Sequence, residues 1–358
     1  MDFDVSDDRR MLADSLGRYL SDHYGIEHRN AVAYDTPFHD AQKWRDLAEL
    51  GVLYALAPED RGGFGGAGFD VVTVFEQLGG ALCPEPVLPQ LLATRLLMAG
   101  GVDLEPLLSG ATRYAVAIGE IDAPYAVEDI ATEATDSGDG WKISGRKSVV
   151  YGAHAADRIL IAARHAGGIG LFEIAPGNAD ITVYGMIDGG GAGELFLDKS
   201  EAVLLAGDAG AMLQDALDWG ALALAAEAVG AMDTANAMLI DYLRTRKQFG
   251  RPIGGFQALQ HRAVDLGIEI EQARSITILA ASRMGTQAQS RSVSMAKNLI
   301  GRAARLVAEE SIQMQGGIAM TWEYPASHYA KRLVMIDHQL GDTEFHLERV
   351  MADLQPAP

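Results

Sequence analysis

Arg244, Arg246 and Lys247 stand where a long helical pattern ends, followed at once by Gln248, Phe249 and Gly250. Cations at a helix C-terminus complement the negative end of its dipole, which is reason enough for them to be there. A guanidinium at such a place can equally grip a pyrophosphate through two parallel hydrogen bonds. On this stretch alone both roles stay open. Gly63-Phe64-Gly65-Gly66-Ala67-Gly68 has the spacing of a dinucleotide loop. That fingerprint works only between a strand and a helix, where the diphosphate meets the helix N-terminus. Here a helical segment precedes it and no βαβ alternation surrounds it, so the stretch reads as a flexible inter-helix loop. The nine histidines include no H-x-x-x-H pair, and no G-x-S-x-G elbow occurs, which leaves metal and serine-hydrolase chemistry without support. His261 and His338 read as helix-surface or interface residues.

Three textures position these residues. Over 1–112 the apolar spacing is helical, as in Met11, Leu12, Leu16 and Leu20, with Gly and Pro breaks near 62–68 and 84–89. Over 113–207 short alternating runs at 114–118, 141–143, 158–163, 169–174, 181–184 and 194–197 predict strands. Turn residues such as Asp136-Ser137-Gly138-Asp139-Gly140 separate them. Closely spaced short strands suit an antiparallel barrel or sandwich. Over 208–358 long helical patterns return: one toward Arg246, then about 256–283, 291–315, a run after Pro325 to about Leu340, and a short last one. Gly250-Arg251-Pro252 and Gly316-Gly317 mark stops. Long helices with short connections predict an antiparallel bundle. No internal repeat is visible.

Bulk properties narrow the function classes. The formal net charge of -20 over 358 residues argues against nucleic acid and against anionic membrane surfaces. Cys83 is the single cysteine, which excludes an internal disulfide and a Cys-rich zinc site. The opening Met1-Asp2-Phe3-Asp4 is acidic where a secretory signal needs positive charge. The most apolar stretch, 219–232, is too short to span a bilayer and contains Glu227. A cytoplasmic protein is expected.

Longer strings add a resemblance. Arg246-Lys247-Gln248-Phe249-Gly250-Arg251-Pro252-Ile253 is followed by Phe256-Gln257-Ala258-Leu259-Gln260 and Asp265. Downstream come Gln313-Met314-Gln315-Gly316-Gly317-Ile318 and Glu323-Tyr324-Pro325. In order and separation these resemble the C-terminal domain of the acyl-CoA dehydrogenase family. Trp141-Lys142-Ile143-Ser144-Gly145 resembles that family's β-domain hairpin, and Pro58-Glu59-Asp60-Arg61-Gly62-Gly63 its N-terminal helix connection. The resemblance implies an α+β fold with an N-terminal helical domain, a middle antiparallel β-domain and a C-terminal four-helix bundle.

It also implies a chemistry. Family members oxidise an acyl-CoA thioester to the trans-2-enoyl-CoA: a glutamate removes the α-proton and FAD accepts the β-hydride. A positioned base of this kind is worth roughly 10²–10⁴ in rate. The FAD is shared between two subunits, the flavin lying in one subunit's β-domain and the pyrophosphate and adenine on the neighbour's bundle. By resemblance Arg246 binds pyrophosphate with Lys247, Gln248 and Phe249 beside it, Gln257 is a second contact, and Gln313, Gly316 and Gly317 approach the adenine end.

The flavin side departs from the pattern. Tyr114-Ala115-Val116-Ala117-Ile118-Gly119-Glu120-Ile121-Asp122 stands where a T-E-P-x-x-G-S-D-like segment belongs, and Ser148-Val149-Val150-Tyr151 where a W-x-T-N-like strand end belongs. The catalytic glutamate is missing as well. Its usual position is Leu340, followed by Gly341 and Asp342, and the alternative on the preceding helix is Gly220, with Ala221 beside it. The pattern most resembles the non-catalytic subunit of mixed α2β2 acyl-CoA dehydrogenases, such as the small subunit of pimeloyl-CoA dehydrogenase or actinobacterial steroid side-chain enzymes. A catalytic partner subunit, an acyl-CoA substrate and an electron-transfer flavoprotein as acceptor follow from that resemblance. Two other readings remain. One is a self-sufficient homo-oligomer using Asp342 or Glu344 as base, although both also suit a helix's first turn. The other is a non-enzymatic scaffold or CoA-ester binder of the same fold.

Overall fold

In the computed structural model residues 6–354 are described, so the acidic opening Met1-Asp2-Phe3-Asp4 lies outside them. Helices come first: α1 (Asp7–His23), α2 (Ile26–Ala33), α3 (Ala41–Glu49), α4 (Gly68–Gly80), α5 (Val87–Ala99) and the single turn α6 (Glu105–Leu108). Strands follow: β1 (Tyr114–Ala117), β2 (Glu133–Asp136), β3 (Trp141–Tyr151), β4 (Arg158–His165), β5 (Gly168–Ile174), β6 (Asp180–Gly185) and β7 (Gly191–Ala206). The chain then returns to helix in α7 (Gly210–Thr245) and turns through the two-residue strands β8 (Lys247–Gln248) and β9 (Arg251–Pro252). It ends in α8 (Gln257–Arg283), α9 (Gln289–Gln315), α10 (Ala326–Asp337) and α11 (Thr343–Leu354).

Two compact units result, and neither is continuous in sequence. The first comprises Met1–Arg29, Gly68–Cys83 and Ala221–Pro358; the second comprises Asn30–Ala67 and Pro84–Gly220.

The first unit is helical. Its core is close packing between α4 and α7: a side chain at Gly79 would collide with the Glu227 carbonyl, and one at Gly230 with the Glu76 carbonyl. Only glycine at both places lets the two backbones touch. α9 is its central helix, with α8, α10 and α11 packed around it. Buried Val293, Ala296, Ile300, Ala303, Ala304 and Val307 repeat at the three- and four-residue spacing that gives one helix several apolar faces. Arg9 Nε holds Asp70 Oδ1 at 2.6 Å between α1 and α4.

The second unit carries a small closed sheet. β4, β2, β3, β7 and β5 follow one another, and β5 pairs back with β4 to complete a ring; β1 adds to β4 and β6 to β7. Ile143, Ile159, Ile161, Phe172, Leu195 and Leu197 fill its interior. Most pairings are antiparallel, as the short strand spacing predicts. The exceptions are β1, parallel to β4 from Tyr114↔Arg158 to Ala117↔Ile161, and the single parallel register of β2 with β4, Glu133↔Arg164. Apolar alternation states which face a residue occupies, not which strand lies beside it, so a parallel neighbour is invisible to it. β3 runs far past its predicted end because Lys147, wholly buried on an inward position, breaks the alternation that would have extended it.

Candidate functional site

The basic cluster sits where the first unit's helices end. α7 stops at Thr245, and Lys247–Gln248 pairs antiparallel with Arg251–Pro252 across a two-residue turn. Phe249 and Gly250 occupy that turn with φ of 53° and 77°. Two consecutive left-handed residues match the twist of a tight hairpin. Burial does not fix the hairpin: Arg244, Arg246, Lys247, Gln248, Arg251 and Gln257 are all exposed, and Phe249 is 91 % exposed. Among the described residues no carboxylate comes within ion-pair distance of Arg244, Arg246, Lys247 or Arg251. In a chain of net charge -20 that many unpaired cations in one turn is itself a signal.

The next element supplies positive potential of its own. α8 begins at Gln257 with no side-chain cap and no acidic residue in its first turn. No side chain therefore caps its first amides, and no carboxylate in the first turn compensates the positive end of its dipole. Open guanidiniums beside an uncapped helix start fit a diphosphate.

The adenine-side motif lies at the same end of the bundle. Arg262, early in α8, pairs with Glu310, late in the antiparallel α9. That pairing brings the end of α9 back to the start of α8. Gln313, Gly316 and Gly317 are exposed there, and a Cβ added at either glycine meets nothing within 4 Å. Gly316 adopts φ 71° and ψ -150°, a region that side chains rarely enter. The cofactor-side residues inferred from the motifs, Arg246, Lys247, Gln248, Phe249, Gln257, Gln313, Gly316 and Gly317, thus share one end of the helical unit.

The usual position of the base is built quite differently. Leu340 lies in the turn between α10 and α11 with φ 54°, a conformation costly for a branched side chain. The turn is pinned from α9. Lys297, fully buried, donates to the carbonyls of Ile336 at 2.6 Å and Asp337 at 3.4 Å, and Asn298 Nδ2 donates to the Thr343 carbonyl at 2.9 Å. Thr343 Oγ1 donates to Asp337 Oδ1 at 2.8 Å, and the His346 ring lies 3.2 Å from Ser294 Oγ and 3.1 Å from the Leu340 carbonyl. Burial pulls the Lys297 ammonium down to about 7, against the attraction of Asp337. Burial, reinforced by the Lys297 and Arg349 charges, holds His346 neutral down to about 3.

Asp342 is the N-cap of α11: its Oδ1 accepts the Phe345 amide at 2.8 Å. Glu344 is exposed in the first turn of α11. Gly220 is buried inside α7, between Trp219 and Ala221. Neither Leu340 nor Gly220 can accept a proton.

The corresponding strands of the second unit keep a firm framework while displaying altered residues. Lys147 donates to Glu120 Oε1 at 2.7 Å and to the Ile118 carbonyl at 2.9 Å. Burial lowers this lysine to about 8; burial also opposes ionisation of Glu120, but hydrogen bonds from Lys147 and from the backbone outweigh it and hold the carboxyl at about 2. β3 then bulges at Ser148–Val149. Glu194 fastens the bulge by accepting from Ser148 Oγ, the Val149 amide, Tyr184 Oη and Arg146. Val149 stands exposed at φ 51°, and Ile121 is exposed as well.

Sequence reasoning passed over Arg251, Glu194 and Lys297. Arg251 was visible as one more cation two residues beyond Phe249. Glu194 and Lys297 act through contacts distant in sequence, which no local pattern reports. Among the described residues no group of three or more potential metal ligands exists, and no helix is long and apolar enough to cross a membrane.

The fold and this pair of half-sites define an acyl-CoA dehydrogenase architecture. The model of the acyl-CoA dehydrogenase N-terminal domain matches residues 6–102 and that of the C-terminal domain residues 209–355. The chain is 30 % identical over 329 residues to acyl-CoA dehydrogenase IpdE2 of Mycobacterium tuberculosis, covering 91 % of each. It is 28 % identical over 353 residues to IpdE2 of Mycolicibacterium smegmatis, covering 98 % of this chain and all of that one. Among solved structures, a variant of the Tcur3481–Tcur3483 steroid ACAD superposes with TM-score 0.90 at 29 % identity over 97 % of both chains. The ChsE4–ChsE5 complex of Mycobacterium tuberculosis does so at 0.90 and 25 % over the whole of both. The chain belongs to the acyl-CoA dehydrogenase family, whose members bind FAD.

Proposed function

We propose that this chain is the non-catalytic subunit of a mixed, α2β2 acyl-CoA dehydrogenase. It contributes the adenine and pyrophosphate half of a shared FAD site, while a partner subunit supplies the flavin pocket and the glutamate base. One contrast within the chain carries the reading: Arg246 and its neighbours are open and unpaired beside an uncapped helix, whereas Leu340, at the base position, is apolar. FAD, when bound, accepts the hydride from the β-carbon of the acyl thioester. This chain's part is to hold the diphosphate on Arg246 and Lys247, to give the adenine end room beside Gly316 and Gly317, and to leave proton removal to the other subunit.

Two solved relatives are themselves named as pairs of proteins, Tcur3481–Tcur3483 and ChsE4–ChsE5, which supports a heteromeric assembly. The first is named a steroid ACAD, so CoA esters with bulky, steroid-type acyl groups are the substrates to test first. An electron-transfer flavoprotein is the proposed acceptor and the cytoplasm the proposed compartment. The capping role of Asp342 counts against a self-sufficient enzyme, and the open cationic hairpin counts against a mere scaffold.

The experiment is co-expression with the dehydrogenase-like product of a neighbouring gene, followed by a count of FAD per chain. One FAD per two chains is expected; one per chain overturns the division of labour. In the same complex Arg246→Ala should loosen FAD about 10- to 100-fold, the loss expected for a charge-assisted hydrogen-bond pair. A scaffold would tolerate the change.

A further inference from the structure

The cationic hairpin poses a physical problem. Its strands are two residues each, and residues 244–252 are all exposed, so no buried core orders them. An isolated two-stranded hairpin is marginal in water. Its turn also sets a bulky Phe249 at a left-handed φ of 53°. Yet an anion site gains affinity when its groups are already in place before the ligand arrives.

Phe256 supplies the missing order. Its half-buried ring lies under the Arg251 guanidinium, 4.3 Å from carbon to ring centroid, and meets the Phe249 ring edge-on at 6.1 Å and 90°. One side chain therefore touches both the turn and the returning strand. The other restraints are almost all backbone bonds: the hairpin's own pairing, the Arg246 amide to the Tyr242 carbonyl and the Ile253 amide to the Arg246 carbonyl, both at 2.8 Å, with Gln260 Nε2 donating to the Gly254 carbonyl at 2.8 Å.

We infer that Phe256 is a positioning residue whose ring holds the hairpin 246–252 in its anion-binding form, with Arg251 stacked on it. The inference rests on the half-site reading above only for its link to FAD. The backbone of Phe256 does a separate job: its carbonyl accepts from Leu259 and Gln260 to start α8. A change of side chain alone leaves that start intact. The ring's role is also distinct from that of Arg246, because the ring acts through its contacts with Arg251 and Phe249.

Two measurements test this on Phe256→Leu, which keeps apolar bulk, and Phe256→Tyr, which keeps the ring face. On the full-length chain, tryptic cleavage after Lys247 should quicken about tenfold in Phe256→Leu and stay at the wild-type rate in Phe256→Tyr, given the usual strength of ring and cation–ring contacts. Equal cleavage of wild type and Phe256→Leu overturns the inference, whatever the cofactor does. In the assembled flavoprotein, Phe256→Leu should raise the FAD dissociation constant about tenfold, with the KM for acyl-CoA unchanged and Phe256→Tyr restoring tight binding. An unchanged FAD constant in Phe256→Leu, beside a loosened one in Arg246→Ala, overturns the link to the cofactor. No effect of Arg246→Ala overturns the half-site reading instead, and the cleavage result still decides the hairpin.

Discussion

The hairpin after α7 and the turn between α10 and α11 are the places where the sequence resemblance sets pyrophosphate binding and the base, and they are built in opposite ways. At the hairpin, the cations are exposed and without a carboxylate partner among the described residues, and only Arg251 rests on a ring, that of Phe256. At the turn, Lys297 holds the Ile336 and Asp337 carbonyls, Asn298 holds that of Thr343, and the His346 ring lies between Ser294 Oγ and the Leu340 carbonyl; the residue so presented is Leu340. The open region has unsatisfied groups to offer a ligand. The closed region directs most of its polar groups inward, and at Leu340 it has no proton acceptor to offer. A decayed enzyme would be expected to lose both kinds of order together; here the framework of the turn persists under a changed side chain.

The two regions should differ most in their response to a change at Lys297. Removing its ammonium takes the donor from the Asp337 carbonyl and leaves the Ile336 carbonyl only backbone amides such as that of Gln339 at 3.3 Å, and truncation also leaves a cavity. Lys297→Ala should therefore destabilise the chain by about 3–5 kcal/mol, and Lys297→Met, which keeps the stem, by about 1–3 kcal/mol. Denaturant unfolding measures both. Arg246→Ala, by contrast, should leave the unfolding midpoint where it is. If the two regions respond alike, the distinction between them is wrong.

A smaller effect sharpens the same point through pH. His346 is held neutral down to about 3, below its ordinary value near 6.5 in an unfolded chain. Between those values the unfolded state binds the extra proton, so the stability His346 provides is complete above pH 6.5 and is lost as pH falls. The slope is about 1.4 kcal/mol per pH unit. His154, lowered by burial to about 4 in the second unit, adds a like slope of its own. Lys297 is charged in both states below pH 6.5 and drops out of that window. His346→Gln should remove about 1.4 kcal/mol per unit from the slope between pH 5 and 6.5, leaving the His154 part in place. A slope unchanged by the substitution would mean that the turn is wet.

Much of this was legible in the sequence, and the residues show why. The helical stretches, the β texture between them and the strings around Arg246 and Gly316 are local patterns, set by neighbours a few residues apart. The two glycines where α4 meets α7, Gly79 and Gly230, were not legible, since each is small for the sake of a helix far away in the chain. Nor was the parallel placement of β1, or the buried Lys147 and Lys297, because a lysine's burial depends on a distant carbonyl or carboxylate being there to receive it. In the sequence Arg246 is a cation with two possible uses. That it has no carboxylate partner, which distinguishes the uses, is a fact of three dimensions.

The smallest expected effect bears on the strongest rival reading. Asp342 Oδ1 accepts the Phe345 amide at the third position of α11, and Asn serves there as well as Asp. Asp342→Asn should therefore change stability by only a few tenths of a kcal/mol, whereas Asp342→Ala should cost about 1 kcal/mol. As a base, Asp342 would behave differently: the amide of Asn cannot take a proton, so Asn and Ala would abolish turnover alike. Steady-state rates of the assembled complex separate the two. A rate unaffected by Asp342→Asn, and equally by Glu344→Gln, places the proton acceptor on another chain. A rate that collapses with stability intact would make Asp342 the base, and the turn around Leu340 would then be open to substrate after all.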